Sequence, residues 1–168
     1  SPMPNVRFVR EDEHVLYHTG MQEIRAYLDR ATEPPRMELA GPREKIFFDP
    51  RELRCGIVTC GGLCPGLNDV IRAIVMSLHY HYGVNRVLGF RFGYEGLSSR
   101  FGHEAVELTP ESASRIHETG GTILGSSRGN QDVADMVDTL TRLGIGILFT
   151  IGGDGTLRGA RAISREAQ

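Results

Sequence analysis

The chain has 168 residues, a formal net charge of -2 and 40% hydrophobic residues, which suffices for one domain with a hydrophobic core. The hydrophobic content excludes a disordered chain, and the charge is not that of a protein that binds nucleic acid through bulk basicity. The sequence contains no apolar run near the ~20 residues that a membrane-spanning helix needs. We therefore expect neither a nucleic-acid partner nor a membrane partner.

Residues 1–45 are interpreted as an N-terminal extension and linker. Thr19 and Gln22 have the spacing of a capping box, which predicts the start of a short amphipathic helix. Residues 31–45 contain three prolines and are predicted to form an extended linker. The folded domain is then expected to occupy residues 46–168.

This domain shows alternating strand and helix patterns. Strands are predicted at 54–60, 86–92, 122–124 and 145–151, and helices at 66–81, 109–120, 131–143 and from about 156. Strands rich in Val and Ile that are joined by helical crossovers predict a Rossmann-like α/β fold with a parallel sheet and helices on both faces. In such sheets, ligands bind at the carboxyl ends of the strands.

Two glycine-rich turns follow predicted strands at that edge. The first is Gly-Gly-Leu-Cys-Pro-Gly-Leu-Asn at 61–68, and the second is Gly-Gly-Asp-Gly-Thr at 152–156. A strand, a glycine turn and a helix together present backbone N–H groups to phosphates, and the glycines allow close approach. Thr156 can cap the following helix and donate to a phosphate. The two turns together predict a site for a nucleotide and its metal.

Three side chains near these turns have both a functional and a structural interpretation. Asp154 is predicted to hold Mg²⁺ beside the phosphates, or else to be a turn aspartate that caps the helix. Arg128, in a Gly-Ser-Ser-Arg-Gly stretch at 125–129, could neutralise the phosphate charge or lie in a surface loop. Tyr94 could form a wall for the nucleotide base or pack in the core.

The cysteines do not predict a disulfide framework. Cys55, Cys60 and Cys64 are an odd number close to one turn, which favours free thiols in a reducing cytoplasm. A zinc site built from Cys60 and Cys64 would lack a second pair of ligands.

The order and spacing of four stretches closely resemble the phosphofructokinases over residues 46–168. They are 61–68, Gly-Tyr-Glu-Gly-Leu at 93–97, Gly-Gly-Thr-Ile-Leu-Gly-Ser-Ser-Arg at 120–128, and 152–156. The Cys-Pro-Gly form of the first turn is similar to the branch found in plants, kinetoplastid protozoa and many bacteria. The resemblance implies the N-terminal donor-binding lobe of a two-lobed, allosteric, cytoplasmic glycolytic kinase that forms homodimers or homotetramers.

The same resemblance implies Mg²⁺-dependent transfer of the γ-phosphoryl group of ATP to the 1-hydroxyl of fructose 6-phosphate. By the family pattern, Gly62 contacts the nucleotide phosphates, and Arg128 and Gly129 line the nucleotide. Residues Gly153, Asp154, Gly155 and Thr156 would cradle it, with Asp154 as the Mg²⁺ ligand.

The phosphoryl donor and the missing catalytic residues are two further points of the resemblance. Pyrophosphate-dependent members usually place a second aspartate where this chain has Gly155, so ATP is favoured and pyrophosphate is the alternative.

The family's catalytic aspartate lies in a later Thr-Ile-Asp-Asn-Asp stretch that this sequence does not contain. No catalytic residue is therefore expected within the chain, which alone should bind nucleotide weakly without turnover.

Two other classes of function stay open on the sequence. NAD kinases and diacylglycerol-type lipid kinases share the second glycine turn but not the first. A non-catalytic regulatory or assembly module that has kept a nucleotide site would share both turns.

Overall fold

The computed structural model describes residues 7–168. The chain divides into two compact units, a first that ends at Phe47 and a second at Phe48–Gln168. Residues 1–6 of the predicted extension lie outside the described residues. Between residues 7 and 168, none of the helices combines the length and the apolar character that crossing a bilayer requires.

The first unit is a small two-stranded sheet with one helix. Strand β1 (His14–Leu16) is followed by helix α1 (Met21–Asp29) and strand β2 (Arg36–Glu38), and β1 pairs antiparallel with β2. Within the stretch predicted to be a linker, residues 36–38 thus form a paired strand, since ladder hydrogen bonds join β2 to β1. The capping-box prediction is wrong, because α1 has Gly20 as its N-cap and no side-chain cap.

The second unit alternates strands and helices along the chain. Its elements are β3 (Arg54–Thr59), α2 (Leu67–Tyr80), β4 (Arg86–Phe90), a 3₁₀ turn (Gly93–Leu97), β5 (Val106–Glu107), α3 (Pro110–Ala113), a second 3₁₀ turn (Ile116–Glu118), α4 (Val133–Arg142), β6 (Ile147–Ile151) and α5 (Asp154–Glu166). The sheet has the strand order β5-β4-β3-β6. Strands β4, β3 and β6 are parallel, whereas β5 is an antiparallel edge strand.

The predicted α/β fold is confirmed, with helices on both faces of the sheet. One core cluster joins Cys55 and Ile57 to side chains of α2 and α3. The other joins Val58 and Cys60 to side chains of α4 and α5. The alternation along this central stretch follows from the period of two residues in a strand, and it places one helical layer on each face.

Several local predictions need correction. No strand forms at 122–124, and the fourth strand of the sheet is β5, which is only two residues long and therefore too short to give a strand pattern in the sequence. The helix that opens at Pro110 has the predicted Thr109 cap but ends at Ala113. Helix α5 begins at Asp154 rather than near residue 156. The side chains of β6 are only partly buried, because β6 has one neighbouring strand within the described residues.

The 3₁₀ turn at Gly93–Leu97 and the residues just after it are anchored to α4. The carboxylate of Asp135 accepts hydrogen bonds from the Ser98 hydroxyl (2.7 Å) and the Ser99 N–H (2.9 Å). Hydrogen bonding from Ser99 and then Ser98 holds the pKa of Asp135 below its ordinary value. The ionised carboxylate is therefore the form that stabilises this connection.

We expect Asp135→Asn to lower the free energy of unfolding at pH 7. Because the folded pKa is depressed, the stabilisation is present above the unfolded carboxyl pKa of about 3.9 and is lost as the pH falls through the folded pKa. The stability deficit of the variant should therefore shrink below about pH 4. Urea unfolding between pH 7 and pH 3 measures this. Asp138→Asn, at an exposed position on the same helix, is the control, and a deficit that does not depend on pH would contradict the expectation.

Candidate functional site

The two glycine turns meet because β3 and β6 are neighbouring parallel strands. The Cys60 N–H donates to the Ile151 carbonyl (2.9 Å), which extends the ladder to the last residue before the turns. Gly152 then passes so close to Cys60 that a Cβ added at 152 would lie 2.5 Å from the Cys60 carbonyl oxygen and closer still to Thr156 Oγ1. Only glycine fits there without a shift of the backbone.

A third segment, residues 122–129, is fastened to the first turn. The Ser126 hydroxyl donates to the Gly61 carbonyl (2.6 Å), and the Gly61 N–H donates to the Ser127 carbonyl (3.1 Å). The Thr59 hydroxyl donates to the carbonyl of Gly125 (2.7 Å). These bonds bring the loop that carries the predicted arginine to the carboxyl end of β3.

Arg128 lies directly over the first turn as a result. Its Nη2 atom is 3.5 Å from the place where a Cβ would stand on Gly62. The guanidinium group and the bare backbone of Gly62 thus face the same space. A cation beside exposed backbone N–H groups is an arrangement that favours an anion.

These segments enclose a cleft of about 330 Å³ at the carboxyl ends of the parallel strands. Six of the seven predicted site residues line it, namely Gly62, Arg128, Gly129, Gly153, Gly155 and Thr156. Five further lining residues fall outside those seven, namely Cys60, Gly61, Tyr94, Ser127 and Asn130. Gly61, Ser127 and Asn130 lie in or beside the glycine-rich stretches, so proximity in sequence to those stretches was the available signal.

Asp154 does not line the cleft. Asp154 is the first residue of α5 and its side chain is exposed. The N-cap position is occupied by Gly153. The capping interpretation of Asp154 therefore fails, since the helix starts at the residue itself. Within residues 7–168, no group of three or more His, Cys, Asp or Glu side chains could hold a metal by itself.

Thr156 does not cap the helix either, although capping was predicted. It is the third residue of α5 and is buried, and its Oγ1 lies 3.5 Å from the Cys60 carbonyl oxygen. Because the N-cap residue is Gly153, which has no side chain, no N-cap side chain accepts a hydrogen bond from the first N–H groups of α5. Such N–H groups carry the positive end of the helix dipole.

Tyr94 is a packed side chain rather than an exposed wall for a base. It is only 7% exposed, and its hydroxyl donates to the Thr156 carbonyl at 2.6 Å. Burial raises the pKa of Tyr94 well above its ordinary value, so the hydroxyl remains a donor. Tyr94 is nevertheless one of the residues that line the cleft.

The chain belongs to the phosphofructokinase family, because the family model Phosphofructokinase matches residues 54–168. It is 55% identical over 157 residues to an ATP-dependent 6-phosphofructokinase of Trypanosoma cruzi (strain CL Brener), covering 93% of this chain and 32% of the relative. It is 49% identical over 157 residues to an ATP-dependent 6-phosphofructokinase of Amycolatopsis methanolica, covering 94% of this chain and 34% of the relative.

A solved structure shows the same fold. A pyrophosphate-dependent phosphofructokinase from Marinobacter aquaeolei matches with a TM-score of 0.61 at 18% identity, covering 68% of this chain and 30% of that chain. The chain thus spans about a third of the length of the curated relatives it matches.

We expect Gly152→Ala to destabilise the protein by about 1–3 kcal/mol, because the new methyl group would overlap the Cys60 carbonyl and Thr156. Gly153→Ala is the matched control, since nothing lies within 4 Å of a Cβ at 153 and its φ of -93° suits alanine. Urea unfolding of both variants measures the difference. Equal stability of the two variants would contradict the packing argument.

We also expect the three thiols to differ in reactivity. Burial raises the pKa values of Cys55 and Cys60 to about 11, whereas Cys64 is exposed. Because the thiolate is the nucleophile, iodoacetamide at pH 7.5 should modify Cys64 in the native protein and reach the other two only after denaturation. Peptide mass spectrometry measures this, and modification of native Cys60 as fast as Cys64 would overturn the expectation.

Proposed function

We propose that this chain forms the donor-binding part of an ATP-dependent 6-phosphofructokinase. The complete enzyme would transfer the γ-phosphoryl group of ATP to the 1-hydroxyl of fructose 6-phosphate and release fructose 1,6-bisphosphate. The observation that carries the proposal is the single cleft in which two glycine turns and Arg128 converge. The relatives named ATP-dependent 6-phosphofructokinase support it.

The electrostatics of the cleft suit a polyphosphate. Its lining includes the guanidinium group of Arg128 and no carboxylate side chain. The uncapped N-terminus of α5 adds backbone N–H donors and the positive end of a helix dipole. In phosphoryl transfer, positioning and charge stabilisation supply nearly all of the catalysis, so these groups would bind and orient the donor.

Asp154 fits a Mg²⁺ ion that is shared with the donor. Its carboxylate is exposed at the start of α5, next to Gly153 and Gly155 in the cleft. Because Mg²⁺ takes one or two carboxylates together with phosphate oxygens and water, a single aspartate beside the phosphates suffices. When bound, the ion would neutralise charge on the phosphates.

Gly155 leaves room for ATP, which is the larger of the two possible phosphoryl donors. A Cβ at this position would meet only Arg158 Nη2, at 3.9 Å, and Gly155 itself lines the cleft. An aspartate there would fill this space and bring a negative charge close to the donor phosphates. The absence of that side chain supports ATP rather than pyrophosphate as the donor.

The cellular setting and assembly are also part of the proposal. Three free thiols suit a reducing cytoplasm. The first unit carries exposed apolar side chains, among them Tyr17, Met21 and Leu28, which supply surface for self-association into a dimer or tetramer.

The test is a coupled assay on the full-length protein with fructose 6-phosphate, supplying ATP and pyrophosphate separately. We expect activity with ATP, and Gly155→Asp should reduce kcat/KM for ATP by about tenfold or more without unfolding the domain. Gly155→Asn is the control that adds similar bulk without the charge.

Each alternative has its own outcome. Activity with pyrophosphate alone would keep the family and overturn the donor assignment. Inactivity with both donors, in a folded protein that still binds ATP, would favour a non-catalytic regulatory module.

A further inference from the structure

The 3₁₀ turn at Gly93–Leu97 touches the segments that build the cleft. A Cβ added at Gly93 would lie 3.1 Å from the backbone nitrogen of Ser127 and 3.2 Å from the carbonyl oxygen of Thr59. Gly93 has a φ of +61°, so glycine is favoured there on both counts. The turn is therefore wedged between the end of β3 and the loop that carries Arg128.

Tyr94 extends the same turn to α5. Its hydroxyl donates to the Thr156 carbonyl at 2.6 Å, within the first turn of the helix. Its ring occupies the space in front of Gly159, where a Cβ would lie 2.9 Å from Tyr94 Cζ and 3.0 Å from its hydroxyl oxygen. The helix thus approaches the ring at two successive positions on one face.

Gly159 lowers the intrinsic stability of helix α5, and its contact with the Tyr94 ring explains why glycine stands there. A glycine inside a helix is about 1 kcal/mol less favourable than alanine. Alanine at 159 would collide with the Tyr94 ring, so the helix keeps glycine and gains a close approach to the 3₁₀ turn. Tyr94 and Gly159 together fix the distance between α5 and the carboxyl end of the sheet.

We propose that Tyr94 is a positioning residue, which holds the first turn of α5 at the distance from Gly62 that the donor phosphates require. The proposal rests on the proposed function of the cleft and deepens it. Tyr94 acts through α5, because its hydroxyl is committed to Thr156 and cannot serve the donor at the same time. Loss of the Tyr94 hydroxyl should therefore weaken the binding of ATP and leave the binding of fructose 6-phosphate unchanged.

The test compares Tyr94→Phe with wild type in the full-length protein. The variant keeps the ring and removes only the hydroxyl, so we expect the KM for ATP to rise by roughly three- to tenfold, the effect of one hydrogen bond. The KM for fructose 6-phosphate should stay unchanged. Tyr80→Phe is the control, because Tyr80 is 67% exposed at the end of α2, outside the cleft lining.

Amide hydrogen exchange provides a readout that does not depend on activity. Peptides that cover residues 152–162 should exchange faster in Tyr94→Phe than in wild type or Tyr80→Phe, because the first turn of α5 has lost an anchor. Gly159→Ala should reproduce both effects by pushing the helix away from an intact tyrosine.

Three results would overturn the proposal. The first is an unchanged KM for ATP together with unchanged exchange over residues 152–162. The second is an equal rise in the KM values of both substrates, and the third is a lowered melting temperature with no change in the KM for ATP. If the wild-type protein is inactive with both ATP and pyrophosphate, the proposed function fails, and the exchange result alone decides whether Tyr94 positions α5.

Discussion

The close approach of Gly152 to Cys60 is the constraint on which the cleft depends. Parallel pairing of β3 and β6 continues through the hydrogen bond from the Cys60 N–H to the Ile151 carbonyl. The two strands then lead into their glycine turns, and Gly152 lies in close contact with Cys60. Because glycine at 152 leaves no side chain between them, the two turns lie side by side and both line the cleft. Movement of either turn would separate Gly62 from Gly153 and open the site.

The remaining parts of the cleft are held by hydrogen bonds from short side chains. Thr59 and Ser126 fasten the loop at 122–129, and Tyr94 fastens α5. Asn68 adds a further clamp from α2, since its amide donates to the Thr119 carbonyl and accepts from the Ile123 N–H, both at 2.8 Å. Loops that would be mobile alone are thereby ordered by groups on rigid elements, which suits a site that must present fixed N–H donors to phosphates.

The sequence predicted much of this arrangement. The glycine turns, the strands that precede them and the helix at Leu67–Tyr80 are local patterns, and local patterns survive in the fold. Asn68 and Tyr94 were harder to interpret, because their partners lie 51 to 62 residues away along the chain. Their roles depend on which loops the sheet brings together, and periodicity carries no information about that.

The sequence by itself determined the class of fold, the family and the positions of the glycine turns, because strand and helix periods and glycine-rich turns are set by neighbouring residues. Only the tertiary structure decided that residues 122–124 form a fastened loop and that β5 closes the sheet edge as an antiparallel strand. It also decided that Asp154 begins α5 and that Thr156 turns toward Cys60. These outcomes follow from hydrogen-bond partners and space supplied by distant segments, which only the folded chain brings into contact.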